Sequence, residues 1–327
     1  MLIHRHRNSG FYIPHSAFRI PHLRDGFTLA EVLIALFVLA IGMMGILALF
    51  PLGAAQMAIA VKDERCAQLA DLGEAHARMM WREAWIDNTT GQLNTDAQAT
   101  AKAPELIALD GPGATATSSG PSMPVLIDPI GYRIKSGAAQ TGVGGFGTVV
   151  PRRSIQQLLT LPVGSIDRMC VLLDDMSFNN QGKAVPVNRG GRYNCAFLLQ
   201  RPKNNLRHEV NVKVVVYQNR PVDTPVAEMY LGVAANLVPN TETITIATAG
   251  LPKNAWLLLI GPASTSHEPF ADFYRVTGIN GSSVSISPPI RQRKLGGAAY
   301  SASVIFMDNV CEVFDRGTIT PYGVPAS

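Results

Sequence analysis

The chain has 327 residues, of which 47% are apolar and 16% are charged, and its formal net charge is +4. Ordinary soluble domains carry roughly 25% charged residues, so part of this chain is unusually apolar. The positive charge is concentrated in the first 26 residues, where four arginines accompany one aspartate. The remainder is close to neutral, which argues against nucleic-acid binding, because that function normally needs a basic stripe.

A long apolar segment follows the basic start. From Phe27 to Val61 the only charged side chain is Glu31, and about 20 apolar residues suffice to span a bilayer. Residues 27–50 are therefore predicted to form a membrane-spanning helix, with Pro51 near the far face, where a kink is tolerated. The arginines before the span predict a cytoplasmic N-terminus and an exported body.

Neither common N-terminal signal accounts for this segment. An ordinary signal peptide has an apolar region of only about 7–15 residues. A plain signal anchor has a suitable length but does not explain Glu31, because an ionisable residue inside a membrane segment is costly and functional by default. Glu31 is therefore a candidate functional residue.

The helical pattern continues beyond Pro51 to about residue 87. Charged residues supply one side of this second part, and apolar residues recur at three- and four-residue spacing. That spacing predicts one buried face: Cys66, Leu69, Leu72, Ala75 and Met79. We therefore expect one long helix, apolar all round in its first half and amphipathic in its second.

The start of the apolar segment resembles a known family. Residues 26–36 read Gly-Phe-Thr-Leu-Ala-Glu-Val-Leu-Ile-Ala-Leu, which resembles the class III signal of type IV prepilins and type II secretion pseudopilins. The continuation over 38–47 resembles the minor pilins of the PilV and GspI type. The resemblance implies that a peptidase cleaves after Gly26 and N-methylates Phe27. It also implies that Glu31 pairs with the N-terminal amine of a neighbouring subunit during assembly.

The same resemblance implies partners and a location. The partners are the prepilin peptidase, other pilins or pseudopilins, an inner-membrane assembly platform and the lipid bilayer, with no nucleic acid. The chain is expected in the inner (cytoplasmic) membrane as a single-pass protein, and afterwards in a pilus or pseudopilus. Its large body favours a minor subunit over a major one, because major subunits pack side by side in many copies.

The part of the chain after the helix is β-rich. Residues 88–123 are rich in Thr, Ala, Gly, Ser and Pro and predict a linker or long loops. Valines that alternate along residues 210–216 are typical of a half-buried strand, and Asn280-Gly281 predicts a two-residue hairpin turn. Residues 303–314 are predicted as one strand. The predicted fold class is α+β: a long N-terminal helix followed by an antiparallel β-rich body.

Four segments are predicted along the chain. A cytoplasmic leader covers 1–26 and a pilin-type helix covers 27–87. A pilin-like α+β region with Gly- and Pro-rich loops covers 88–236, and a small β-rich domain, either a barrel or a sandwich, covers 237–327.

No catalytic arrangement is recognisable, so the chain is not predicted to be an enzyme. Residues 142–147 match GxGxxG, but they lack the strand and the helix that flank a dinucleotide site. Residues 174–182 offer oxygen ligands without the closing glutamate of an EF-hand, and a polar turn is favoured there. No metal and no cofactor are predicted.

The four cysteines form no C-x-x-C pair, which disfavours zinc and thioredoxin-type sites. If the body is exported, Cys170 and Cys195 are candidates for a disulfide across a glycine-rich loop. The alternative is that all four cysteines are buried thiols.

Three classes of function are compatible with these features. The chain is a filament subunit, a membrane-anchored exported β-domain that binds a ligand or secreted substrate, or a tethered enzyme. The N-terminal signal favours the first two classes, and the missing catalytic residues disfavour the third.

Overall fold

The structure is a computed structural model that describes the following residues: 28–103, 109, 122–130, 150, 152–153, 170–172, 177–178, 184–185, 193–203, 206–220, 228–247, 250–261, 269–292 and 299–322. The leader, with Gly26, and Phe27 lie outside the described residues. The GxGxxG stretch lies outside as well, and of residues 174–182 only Ser177–Phe178 is described. The chain divides into two compact units, Met1–Ile59 and Ala60–Ser327.

The described residues contain two helices and a series of strands. Helix α1 spans Leu29–Trp85 and helix α2 spans Asp96–Lys102. The strands are β1 Val125–Ile127, β2 Arg152–Arg153, β3 Ser177–Phe178, β4 Ala184–Val185, β5 Tyr193–Gln200, β6 Val210–Gln218, β7 Glu228–Leu237, β8 Thr243–Thr245, β9 Trp256–Gly261, β10 Phe270–Asn280, β11 Ser283–Ser287, β12 Tyr300–Met307 and β13 Val310–Ile319. The predicted α+β class is confirmed.

Helix α1 confirms the predicted long N-terminal helix. It continues through Pro51, whose missing N–H leaves the carbonyl of Leu47 without its usual helical donor. In the first unit every described residue of the helix is exposed. These residues are apolar apart from Glu31 and the neutral polar side chain of Gln56.

In the second unit, α1 has one buried face, formed by Cys66, Leu69, Ala70, Gly73, Ala77, Met80, Trp81, Ala84 and Trp85. The predicted face is right at Cys66 and Leu69 and wrong at Ala75 and Met79, which are exposed. Small residues define much of the true face, because the helix backbone lies close to a sheet. A Cβ added at Gly73 would lie 2.8 Å from Cγ1 of Val214.

The first sheet has the strand order β13-β6-β5-β1-β2 and is antiparallel except for the β1–β2 pair. The predicted alternation along β6 is confirmed. Val210, Val212, Val214 and Val216 share a core with the buried face of α1. The opposite face of β6, with Val215 and Tyr217, packs against residues of the second sheet. The first sheet is therefore covered on both faces.

The second sheet has six strands in the order β7-β12-β9-β10-β11-β8 and is antiparallel throughout. All six strands contribute to one core, and the two edge strands, β7 and β8, lie close together. The sheet therefore curves around its own core.

Two turns refine the predictions for the β region. The hairpin predicted at Asn280-Gly281 is confirmed between β10 and β11, but Asn280 pairs with Ser283, so Gly281, with φ 59°, and Ser282 form the turn. The single strand predicted over 303–314 is wrong. It is interrupted by a turn at Asp308-Asn309, where Asn309 has φ 62° and its N–H donates to Asp308 Oδ1 at 2.8 Å.

That second turn sends the chain from one sheet to the other, since β12 belongs to the second sheet and β13 to the first. Strand β7 ends at Leu237 and belongs to the second sheet as well. Both sheets lie within the unit Ala60–Ser327. The division into regions 88–236 and 237–327 stays a prediction.

Helix α2 was not predicted, because the composition of residues 88–123 favours loops. The helix begins with a capping box: Thr95 Oγ1 accepts from the backbone of Gln98, and Gln98 Oε1 accepts from the backbone of Thr95. Such a reciprocal pair satisfies two otherwise unpaired N–H groups at a helix start. The Thr-x-x-Gln spacing was therefore a usable signal.

The tight approach at Gly73 is testable. The substitution Gly73→Val should lower the free energy of unfolding by about 2 kcal/mol, because its new methyl groups would overpack the contact with Val214. The matched change on the exposed face, Ala75→Val, should cost less than about 0.7 kcal/mol. Denaturant titration of the detergent-solubilised chain, followed by the fluorescence of its tryptophans, measures both. Equal losses would contradict the assigned helix face.

Candidate functional site

The first part of α1 presents an uncovered apolar surface. Phe37 is 66% exposed and Phe50 is 78% exposed, and the aliphatic side chains around them are similarly open. Within the described residues, α1 is the one helix long and apolar enough to cross a membrane. Soluble monomers rarely expose such a large contiguous apolar surface, so a bilayer or other apolar helices are the natural cover for it.

Glu31 is the single charged side chain in this apolar stretch, and it lies in the first turn of α1. The backbone N–H of Thr28 donates to Glu31 Oε2 at 2.9 Å, and the Thr28 hydroxyl donates to the same oxygen at 3.0 Å. In return, the N–H of Glu31 donates to Thr28 Oγ1 at 3.3 Å. The two residues form a capping box.

The capping box explains how the chain tolerates a carboxylate at this position. The first N–H groups of a helix have no partner within the helix, and the N-terminal end of the helix dipole favours negative charge. The box was not predicted, although Thr-x-x-Glu before an apolar run is its sequence signature. The assembly role of Glu31 stays a prediction, and so does processing at Gly26 and Phe27, which lie outside the described residues.

Two glycines interrupt the apolar surface of the span. A Cβ added at Gly42 or at Gly45 would meet nothing within 4 Å, so the packing of this chain does not require a glycine at either position. Small residues let the backbone of a second helix come close in an apolar environment. This stretch of α1 is therefore suited to helix–helix packing.

A buried ionic cluster, which was not predicted, lies at the ends of the first-sheet strands. Arg220 donates from Nη1 to Asp128 Oδ1 at 2.8 Å and from Nη2 to Asp128 Oδ2. Arg152 Nε lies 3.0 Å from Asp128 Oδ2, and the Arg220 guanidinium lies 4.2 Å from the ring centre of Tyr217. Arg220 and Asp128 are 92 positions apart, so no local pattern could have paired them.

All four cysteines are buried and free in the structure. Val171 and Asn194 form an isolated antiparallel bridge, which places Cys170 opposite Cys195. A hydrogen bond to Cys195, together with burial, raises the pKa of the Cys170 thiol well above its usual range. The predicted Cys170–Cys195 disulfide stays a prediction.

The other two cysteines, Cys66 of α1 and Cys311 of β13, lie side by side with their Sγ atoms 2.7 Å apart. This pair was not predicted, because the two residues are 245 positions apart. In the described ranges, no group of three His, Cys, Asp or Glu side chains is placed to hold a metal ion.

A polar cleft of about 450 Å³ lies between the two sheets. Its charged lining is formed by Arg201, Lys213, Asp272, Arg291 and Asp315. Lys213 Nζ is 2.8 Å from Asp272 Oδ1, and Arg291 lies 3.7 Å from both Asp272 and Asp315. The cations and carboxylates of the lining therefore largely neutralise one another.

The comparisons with known proteins point to the same end of the chain. Residues 22–47 match the family model described as the prokaryotic N-terminal methylation motif. With the long apolar helix, this match supports a membrane-anchored, type IV pilin-like protein, and it confirms the type IV prepilin-like signature. The matched family is one of structural subunits.

No curated protein matches the sequence. Among solved structures, the Gp54 tailspike of Acinetobacter baumannii bacteriophage AP22, in complex with A. baumannii capsular saccharide, is similar with 15% identity and a TM-score of 0.18. The similarity covers 24% of this chain and 15% of the tailspike chain.

The ionic cluster yields a stability prediction. The substitution Asp128→Ala should lower the free energy of unfolding by about 3–5 kcal/mol, because it leaves two buried guanidinium groups without their carboxylate. The control is Asp71→Ala, which removes an exposed ion pair with Arg316 at 2.7 Å and should cost about 1 kcal/mol or less. Thermal unfolding of both variants measures the difference. A similar small loss in both would show that the buried cluster is dispensable.

Proposed function

We propose that this chain is a prepilin-like minor subunit of a type IV pilus or type II secretion pseudopilus. It is cleaved after Gly26, is N-methylated at Phe27 and assembles through α1. The observation that carries the proposal is Glu31, the single charge in the exposed apolar part of α1, hydrogen-bonded at the first turn of the helix. The methylation motif over residues 22–47 supports the same proposal.

Cleavage gives the Glu31 carboxylate a new role. It frees an ammonium group at Phe27, one residue before Thr28, whose N–H already donates to Glu31 at 2.9 Å. Each of these charges is unfavourable alone in lipid. A contact between the Glu31 carboxylate and the ammonium of a neighbouring subunit neutralises both and fixes the register of the two helices.

The remainder of the chain serves this assembly. The arginine-rich leader stays in the cytoplasm, and the unit Ala60–Ser327 is carried on the other side of the inner membrane. Gly42 and Gly45 offer positions where a neighbouring helix approaches closely. The partners are the prepilin peptidase, other pilins or pseudopilins, and the inner-membrane assembly platform.

The second candidate function is an exported ligand-binding module that uses α1 only as a membrane anchor. The polar cleft between the sheets favours it. The two candidates differ in what Glu31 does, because an anchor needs an apolar helix but no partner for its carboxylate. A Glu31 variant would keep the function of a binding module and lose the function of a filament subunit.

Processing is tested at the glycine. The substitution Gly26→Leu should leave the precursor uncut. Glycine lets the backbone enter the peptidase site closely, and the leucine side chain would block that approach. The control is Gly10→Leu, which changes a leader glycine away from the cleavage site and should be processed normally. Mass spectrometry of the N-terminus in the native host should find N-methyl-phenylalanine in the wild type and in the control. An intact leader on the wild-type protein would overturn the proposal.

Assembly is tested at Glu31. The substitution Glu31→Gln keeps the shape of the side chain and removes its charge, which leaves the ammonium of a neighbouring subunit unpaired. Loss of one partner from a poorly solvated ion pair costs about 3–5 kcal/mol. Incorporation into filaments should therefore fall by more than about a hundredfold, while cleavage and methylation continue. Immunoblots of sheared filaments and of membranes measure both.

The matched control for that experiment is Thr28→Val, which removes the hydroxyl of the capping box and leaves the carboxylate in place. Its filaments should assemble, because the charge pair with a neighbouring subunit remains available. If Thr28→Val and Glu31→Gln lost assembly equally, the role of Glu31 would be to cap its own helix. That result would contradict pairing between subunits.

A further inference from the structure

Two cysteines meet where α1 packs against the last strand. Cys66 lies on the buried face of α1 and Cys311 lies near the start of β13, with their Sγ atoms 2.7 Å apart. Their exposed fractions are 2% for Cys66 and 8% for Cys311. Because the two residues are 245 positions apart in sequence, the tertiary fold alone brings the sulfur atoms together.

We propose that Cys66 and Cys311 are joined by a disulfide bond that fixes β13 to the assembly helix. Disulfides form and persist outside the cytoplasm and are rare inside it. The inference therefore rests on the export of the body that the proposed function includes. The inferred covalent link goes beyond the methylation motif, because that motif covers only residues 22–47.

The bond forms by thiol–disulfide exchange with an oxidised dithiol carrier of the exported compartment. The thiolate of one cysteine of the pair attacks one carrier sulfur and releases the other as a thiolate. That carrier thiolate takes the proton of the second cysteine, which then attacks the first cysteine's sulfur in the mixed disulfide and releases the carrier. The two cysteines lose two electrons and two protons, and the carrier disulfide takes them up and leaves as a dithiol.

The surroundings of the pair favour one thiolate within it. A hydrogen bond from Cys66 and the nearby Lys62 ammonium lower the pKa of Cys311, although burial and the Glu312 carboxylate act in the opposite direction. The same hydrogen bond, together with burial, raises the pKa of Cys66. The thiolate is the attacking species in exchange, and the hydrogen bond between the two sulfur atoms stabilises one thiolate of the pair.

The position of β13 indicates what the disulfide would stabilise. Among the described strands, β13 stands at the edge of the first sheet and pairs with β6. Arg316 of β13 forms ion pairs with two carboxylates of α1, Asp71 at 2.7 Å and Glu74 at 3.5 Å, and ion pairs near the surface stabilise little. A disulfide stabilises a fold by lowering the conformational entropy of the unfolded chain, and this effect is largest when the loop that it closes is long. Load applied through α1 would then reach β13 through a covalent bond.

The test uses the full chain isolated from the membranes of its host. Free thiols are alkylated while the membranes are being denatured, so that buried thiols react too; the protein is then digested without reduction, and the peptides are identified by mass spectrometry. The expected result is a Cys66 peptide joined to a Cys311 peptide, and the product should disappear on reduction. A link from either cysteine to Cys170 or Cys195 would overturn the proposal.

Protease treatment of spheroplasts separates this inference from the proposed function. If the body is accessible to protease but Cys66 and Cys311 are both alkylated, the disulfide is wrong and the filament subunit stands. If the body is protected from protease and both thiols are reduced, the proposed export is wrong, and the proposal of a disulfide in the cell is wrong as well.

A second arm tests the pair without depending on export. The detergent-purified full chain with Cys170→Ser and Cys195→Ser retains only the proposed pair and is equilibrated with reduced and oxidised glutathione. Oxidation should raise its unfolding temperature by more than about 5 °C. The matched variant with Cys66→Ser added should show no such shift. A pair that stays reduced in this buffer would also overturn the proposal.

Discussion

One constraint organises the protein: a single helix, α1, has to satisfy two different surroundings. Over its first unit it exposes apolar side chains on all sides, and over its second unit it buries one face. That buried face completes the core of the first sheet, where it meets the alternating valines of β6. The sheet depends on this half of α1, and the other half depends on lipid or on neighbouring helices for its cover.

Two carboxylates among the described residues, Asp128 and Glu31, are each stabilised by an opposite charge or by a helix dipole. Asp128 is enclosed by the guanidinium groups of Arg152 and Arg220. Glu31 is held by the N–H and the hydroxyl of Thr28 at the positive end of the α1 dipole. The proposed pairing of Glu31 with a freed N-terminal amine extends this local arrangement to the contact between subunits.

The body is one compact unit because its two sheets share a hydrophobic core and the chain passes from one sheet to the other. The second sheet curves around its own core and uses its other face to cover the first sheet. The turn at Asp308-Asn309 returns the chain to the first sheet, where β13 reaches α1. The proposed bond between Cys66 and Cys311 would close that return covalently.

Local patterns in the sequence were sufficient for the long apolar helix, the alternation along β6 and the hairpin at Gly281, because each reflects the conformational preference of a few neighbouring residues. They also contained the capping box at Thr28, which was not predicted. Tertiary packing decided the rest. It chose Gly73 over Ala75 as the buried side of α1, and it paired Asp128 with Arg220 and Cys66 with Cys311. Such pairs are selected by the global fit of sheets and helix, which short-range patterns do not encode.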